Sequence, residues 1–273
     1  VMTTTTNSGQ IVPASQRRRT LASELVALKP EIAKALPKHL DSERMTRIAL
    51  TALRTTPKLN ECSLPSFLGS VLTLAQLGLE PNTPNGHAYL IPRRNHGTME
   101  CTTMIGYEGL LDLVYRGGKV ALVYAHVVHE GDVFDYDYGL NRNLIHKPTG
   151  DDGELTHVYA VAELTSGHKA FVVLTRDQVL KRKLSAQGAA SARSPWNTHE
   201  DEMWKKTAVR ALTKYLPRSA DVSQAAAFDE APEYGKRQTA MHTHETRATL
   251  EAHGVDVDGN EMPESDDEQQ AQP

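Results

Sequence analysis

Cysteine is nearly absent from this sequence. Only Cys62 and Cys101 occur, with no CxxC spacing. That excludes a disulfide scaffold and a cysteine-built zinc site, and both are expected as reduced thiols. Aromatic residues make up only 5%, so a core built on aromatic stacking is not expected. No apolar run approaches the roughly 18 residues a membrane span needs. The opening VMTTTTNSGQ has no apolar h-region, so a signal peptide is not expected either. Nucleotide and hydrolase signatures are missing as well. RGGKV ends in Gly-Lys, but Leu113 stands where a P-loop needs its first glycine and Val120 where it needs Ser or Thr. There is no GxGxxG and no GxSxG.

What is present is charge, and it is segregated. Residues 221–273 hold three basic and thirteen acidic residues, a net of −10, whereas residues 1–220 carry +6. Residues 175–218 alone hold ten basic and four acidic residues. A basic body with an acidic end implies a polyanionic partner and a separate role for the end.

The chain divides by pattern. Residues 1–16 are Thr/Ser-rich and expected to be disordered. Residues 17–80 read as a helical segment, with Pro30 restarting or kinking the first helix, Asp41 or Ser42 capping the second, and Pro65 and Gly78 bracketing the third. After Pro81 the period changes to two. GHAYLIP and MECTTMI flank RRNHGT, a hairpin with a basic tip, and THVYAVAEL and HKAFVVLT form a second around Gly167. GYEGLLDLVYRGG and RDQVLKRKL read as helices and KVALVYAHVVHEGD as a strand. Segregated helices and antiparallel hairpins make the fold class α+β. The core is expected over 81–219, and 220–273 as an acidic, largely disordered tail.

EDEMWKKTAVRALTKYLPRS, from Glu200 to Ser219, reads as one amphipathic helix. Advancing about 100° per residue puts Lys206, Arg210 and Lys214 on one stripe about 80° wide. Trp204, Ala208, Val209, Ala211, Leu212, Tyr215 and Leu216 fall opposite. The helix is therefore expected to pack its Trp/Leu/Tyr face and offer a row of cations outward, with Thr198 and Asp201 as a capping box. Lys205 points toward the apolar side. Like charges at i, i+4 repel by a few tenths of a kcal/mol, and a polyanion along the row would reverse that sign. A solvated basic face is the competing reading. Further cations that could line the same groove are Lys181, Arg182, Lys183, Arg93, Arg94, Arg116 and Lys119.

Enzymatic readings find less support. His126 and His129 differ by three on a strand and face opposite sides. YEGLLD and GDVFDYDYG supply carboxylates that could hold Mg²⁺ in a nuclease, but such clusters are common. Nothing positions a Ser/His/Asp triad.

Several stretches taken in order carry a resemblance. They are KALPKHLDSERMTRIALTALRTTPKLNECSLPSFLGSVLTLAQLGLEP, AYLIP, IGYEGLLDLVYRGG, VVHEGDVFDYDYG, HKP and SPWNTHEDEMWKKTAVRALTKYLP. The set, from about Leu21 to Leu216, resembles the RecT family of phage and prophage recombinases. The resemblance implies a single-strand annealing protein that coats single-stranded DNA and pairs complementary strands without ATP; no cofactor is expected, and Mg²⁺ stays open without a sequence signal for it. It implies a Red beta-like core, also similar to the eukaryotic annealing proteins, with a small antiparallel sheet backed by a long helix. It further implies assembly into rings or helical filaments around a basic groove. Partners would be single-stranded and annealed duplex DNA and a phage exonuclease or host single-strand-binding protein, in the cytoplasm of a bacterial host. The family's basic helix corresponds to Lys205, Lys206, Arg210 and Lys214, and its basic hairpin to Arg93 and Arg94. Tyr107 and Tyr115 are candidates to contact bases, with packing of a short helix as the competing role. The rivals are a metal-dependent nuclease and a passive single-strand coat. Alanine at Lys206, Arg210 and Lys214 is expected to weaken DNA binding and flatten its salt dependence, and deleting 221–273 to leave annealing intact.

Overall fold

The computed structural model describes residues 20–257, apart from 96, 151–152, 187, 193, 218 and 235. The stretch 1–16 expected to be disordered, and the end of the chain from 258, lie outside the described residues. Four helices come first: α1 (Leu21–Ala27), α2 (Lys29–Ala35), α3 (Ser42–Thr55) and α4 (Leu64–Leu77). Thr20 and Ser23 form a capping box on α1, and Pro30 sits in the first turn of α2, so the restart read at Pro30 is real. Asp41 caps α3, accepting from the Glu43 and Arg44 amides at 3.0 and 3.3 Å. Gly78 ends α4 at φ 63°, the left-handed conformation that favours glycine.

Two antiparallel hairpins and a three-stranded sheet follow. β1 (Ala88–Asn95) pairs with β2 (Thr98–Ile105), setting Arg93 opposite Glu100 and Arg94 opposite Met99. After α5 (Tyr107–Arg116) comes β3 (Val120–His129), then a hairpin of β4 (Val133–Asp137) and β5 (Asn143–Lys147). β6 (Leu155–Leu164) and β7 (Lys169–Thr175) complete a sheet of order β3-β6-β7. The glycines of the GYEGL stretch have a steric reason. A Cβ on Gly106 would lie 1.9 Å from the Gly86 carbonyl oxygen, and one on Gly109 would lie 2.2 Å from that of His87. Only bare backbone lets the start of α5 approach the Gly86–His87 segment before β1 so closely.

The sheet is covered on both faces. α6 (Arg176–Ser185), α7 (Pro195–Thr198) and α8 (Glu200–Leu212) follow β7, and α8 lies across β3, β6 and β7. This is the sheet backed by a helix that an α+β fold requires. On the opposite face β4 and β5 lay Phe134, Tyr136 and Leu144 over Val128, Tyr159, Val161 and Val173. Phe134 stacks on Tyr159 at 5.8 Å, and Tyr138 on Phe171 at 5.4 Å. Aromatic residues are therefore scarce but concentrated, against the expectation of little aromatic stacking. Asp132 ties the hairpin down. Its carboxylate accepts from the His129 and Thr149 amides and lies 3.0 Å from His146 Nε2, while His146 Nδ1 lies 3.1 Å from the Tyr159 hydroxyl. Those bonds, the His129 amide foremost, pull the Asp132 carboxyl down to about 2.

The expectation for the C-terminal part needs correction. The described residues of 220–257 are folded, with α9 (Ala220–Glu230), short 3₁₀ turns at Ala231–Tyr234 and Gln238–Met241, and α10 (His244–Ala252). They share one apolar core with the first helices, running from Leu25 to Val257, so the boundaries expected at residues 80 and 219 separate no cores. The physical reason lies at the outer edge of β2, whose amides have no strand partner. Ser66 accepts from Cys101 N–H at 2.9 Å, Gln238 from Thr103 N–H at 2.7 Å and Asp229 from Ile105 N–H at 2.8 Å. Gln238 also donates to the carbonyls of Thr103 and Phe228, both at 2.8 Å. A buried strand edge must be satisfied, and here the C-terminal part supplies two of three side chains.

His242 packs in the same seam, stacked on Phe228 and against Gly69 of α4. It is buried, and neither ring nitrogen has a hydrogen-bond partner among the described residues. Burial, helped by Arg247, pulls its imidazole down to about 4, against about 6.5 unfolded. Protonation is thus favoured in the unfolded chain between those values. Stability from this site is complete above pH ~6.5 and falls with pH toward ~4, by up to about 3 kcal/mol. Urea unfolding at stepped pH is expected to show that slope in the wild type and a flatter one in His242→Leu. The Asp132 contribution is lost only below about pH 4, so the two windows separate.

Candidate nucleic-acid interface

α8 is buried on nearly every side. Trp204, Ala208 and Leu212 face the sheet as the wheel requires, but Lys206 and Arg210 are also only 8% exposed each. The expected outward row does not exist at these two positions, because α9 lies against it. Lys206 Nζ is 3.1 Å from one Asp229 carboxylate oxygen and 3.2 Å from the other. Arg210 NH1 is 3.3 Å from Asp229, and its Nε is 3.5 Å from Glu230 Oε1. Lys214, the exposed end of the row, also stands 3.5 Å from Glu230 Oε1. The polyanion that the stripe called for is in part the protein's own helix. Tyr215 departs from the wheel too, being 74% exposed. The expected capping box is absent: Thr198 belongs to α7 and donates to the Ser194 carbonyl, and no side chain caps α8. The acidic first turn of Glu200, Asp201 and Glu202 still suits the helix dipole.

Two clefts flank this ion cluster. One, of about 360 Å³, is lined by Lys181, Arg182 and Ser185 of α6, Leu174 of β7, Arg210 and Lys214 on the α8 side, and Glu230. The other, of about 60 Å³, is lined by Arg93 of β1, Ala186, Trp196, Met203, Lys206 and Asp229. Arg93, Lys181, Arg182, Lys206, Arg210 and Lys214 thus line two clefts beside the same acidic pair, though they are far apart in sequence.

The remaining candidates lie elsewhere or are engaged. Arg94 alternates with Arg93 along β1 and is exposed near the hairpin tip. Lys183 donates to the Trp196 carbonyl at 3.2 Å, and Lys205 pairs with Glu202 at 2.9 Å. Arg116 donates to the carbonyls of Leu77 and Gly78 at 2.7 and 2.8 Å and pairs with Asp112. It closes the C-terminus of α4 rather than joining the groove. Lys119 is exposed in the Gly-rich turn before β3. Tyr107 neighbours Glu108 and Glu202, and burial chiefly, with those acids, pushes its phenol up. The Tyr115 hydroxyl accepts from the Val123 amide at 2.8 Å, which gives that ring a structural role.

The GDVFDYDYG carboxylates do not converge. Asp132 is engaged as described, Asp135 and Asp137 are exposed on the other side of β4, and no metal-binding cluster occurs among the described residues. Nor is any helix there long and apolar enough to cross a membrane. The sequence reading missed Asp229 and Glu230. Their signal was Val222, Ala225 and Phe228 at three-residue spacing behind a Ser219 cap, ending in adjacent acids.

The sequence matches the RecT family over residues 43–242. The chain belongs to the RecT family. It is 45% identical to Protein RecT of Escherichia coli (strain K12) over 210 residues, 75% of this chain and 77% of that protein. It is 23% identical to the uncharacterized protein YqaK of Bacillus subtilis (strain 168) over 217 residues, 78% of this chain and 73% of that one. Membership makes it a single-strand annealing protein of DNA recombination, with single-stranded DNA as its ligand. The family match runs past Leu216, where the motif resemblance ended, and takes in α9 with Asp229 and Glu230.

Asp229→Ala would leave two buried cations and the Ile105 amide without that carboxylate. Breaking such a cluster costs about 3–5 kcal/mol. Denaturant melts are expected to show that loss, and truncation after residue 219 a larger one. This replaces the expectation that residues 221–273 are dispensable as a unit.

Proposed function

We propose that single-stranded DNA runs past the clefts between α6, α8 and α9, its phosphates on Lys181 and Lys214, with Arg182, which also donates to the Thr207 carbonyl at 3.4 Å, beside them and Arg93 farther along. The observation that carries this reading is the gathering of cations from β1, α6 and the α8 segment in two clefts beside the Asp229–Glu230 pair. Phosphate contacts hold a strand without reading its sequence, and counterion release supplies the affinity. Bases then remain available to a second strand, whose stacking makes annealing downhill by about 1.4 kcal/mol per step. Pairing makes and breaks no covalent bond, so we assign no catalytic group, nucleotide or metal. Subunits arrayed along a strand, in a ring or filament, would multiply weak contacts. The acidic stretch after residue 257 we assign to a partner such as an exonuclease or single-strand-binding protein.

Glu230 has a part in this reading. Its contacts to Arg210 and Lys214, both 3.5 Å, are long, and its carboxylate is partly exposed in the larger cleft. It stands where a phosphate would, and is held loosely enough to be displaced. Asp229, buried and bonded to backbone, is not.

Anisotropy titrations with an oligo(dT) strand at several salt concentrations test the path. Lys181→Ala/Lys214→Ala is expected to weaken binding about tenfold at 0.15 M salt and flatten the salt slope by about 1.4. Glu230→Gln should tighten binding about fourfold and steepen the slope by about 0.7. Unchanged slopes in the double variant would exclude this path. Faster annealing of complementary strands than in protein-free controls separates an annealing protein from a passive coat, and Mg²⁺-dependent strand loss would reveal a nuclease.

A further inference from the structure

Tyr215 is the most exposed aromatic side chain described, at 74%, although it lies between buried Leu212 and Leu216. It closes the 3₁₀ turn Thr213–Tyr215 that continues α8, directly after Lys214 of the larger cleft. A second exposed ring, Tyr138 at 54%, stands after β4. Its hydroxyl accepts from the Val173 amide at 2.8 Å, and its ring stacks on Phe171 at an interplanar angle of 17°. Val173 precedes Leu174, which lines the same cleft as Lys214. Tyr138 is therefore anchored at the outer edge of β7, the strand whose Leu174 lines the cleft from the α8 side. Burial chiefly raises the Tyr138 phenol, and Tyr215 and Arg142 are near enough to act on it electrostatically.

Tyr107 and Tyr115 are engaged by neighbours, but among the described residues nothing covers most of the Tyr215 ring. Large aromatic surface left in water beside a cationic cleft suits a ligand with both anions and flat apolar faces. Single-stranded nucleic acid is that ligand, and its bases stack on such rings whatever their identity.

We infer that Tyr215, with Tyr138 beside it, is a nucleobase-stacking position on the rim of the basic cleft, so that a strand is held by base as well as by phosphate. The inference rests on the strand following that cleft. It also suits annealing, because stacking engages the face of a base and leaves its pairing edge free for the complementary strand.

The test compares two probes of equal length, an oligo(dT) strand and a strand of abasic sites that keeps its phosphates and loses its bases. Tyr215→Ala is expected to weaken oligo(dT) binding by about five- to a hundredfold and to leave abasic binding within about twofold, with an unchanged melting temperature. Tyr215→Phe and Tyr215→Trp should retain oligo(dT) binding, since the ring and not the hydroxyl does the holding. Equal losses on both probes would assign Tyr215 to subunit contact or folding and overturn the inference, as would no loss on either. If Lys181→Ala/Lys214→Ala weakens both probes while Tyr215→Ala changes neither, the cleft stands and the stacking position falls. If the lysine variant also changes nothing, both fall together.

Discussion

Asp229 takes three kinds of donor at once: the Lys206 ammonium, the Arg210 guanidinium and the Ile105 backbone amide. Those donors belong to α8 and to the end of β2, and the acceptor belongs to α9. One carboxylate thus joins the helix that backs the sheet, the basic hairpin and the C-terminal part. Without it, two buried cations would face each other across a low-dielectric seam, which proteins avoid at a cost of several kcal/mol. The C-terminal part is therefore required by the charge of α8 as well as by the edge of β2.

This arrangement divides labour between adjacent acids. Asp229 is buried and bonded to backbone, so it neutralises charge permanently. Glu230 sits one residue on, partly exposed and at longer range from Arg210 and Lys214. The face proposed to meet DNA is consequently less cationic at rest than its residue count suggests. A groove partly filled by an internal anion holds a strand less tightly than a bare one, and a protein that must pair a strand and then part from its product gains from moderate affinity.

The aromatic side chains follow a parallel logic. Most of the β4–β5 contribution is inward, where Phe134 and Tyr136 close the second face of the sheet. Tyr138 continues the same alternation one step beyond the strand and emerges into solvent. The period of two that builds the cover thus also brings a ring to the outer edge of β7, the strand whose Leu174 lines the basic cleft.

Much of this was legible locally. Helices α1 to α6, β1–β2, β3 and the β6–β7 hairpin follow from periodicity, caps and glycine turns, because those signals act within a few residues. Membership of the RecT family was legible from the order of its motifs. The sequence also determined that α8 carries a cationic stripe, since helical geometry fixes which residues share a side. It could not determine which way that stripe faces. Lys206 and Arg210 turn inward because Asp229, 19 to 23 residues away, folds back onto them, and such a contact leaves no periodic trace. Likewise Tyr215 falls on the apolar side by angle, yet lies past the point where α8 tightens into a 3₁₀ turn and leaves the sheet. Local pattern set the elements and their faces, and only tertiary packing decided which charges are neutralised within the protein and which remain at its surface.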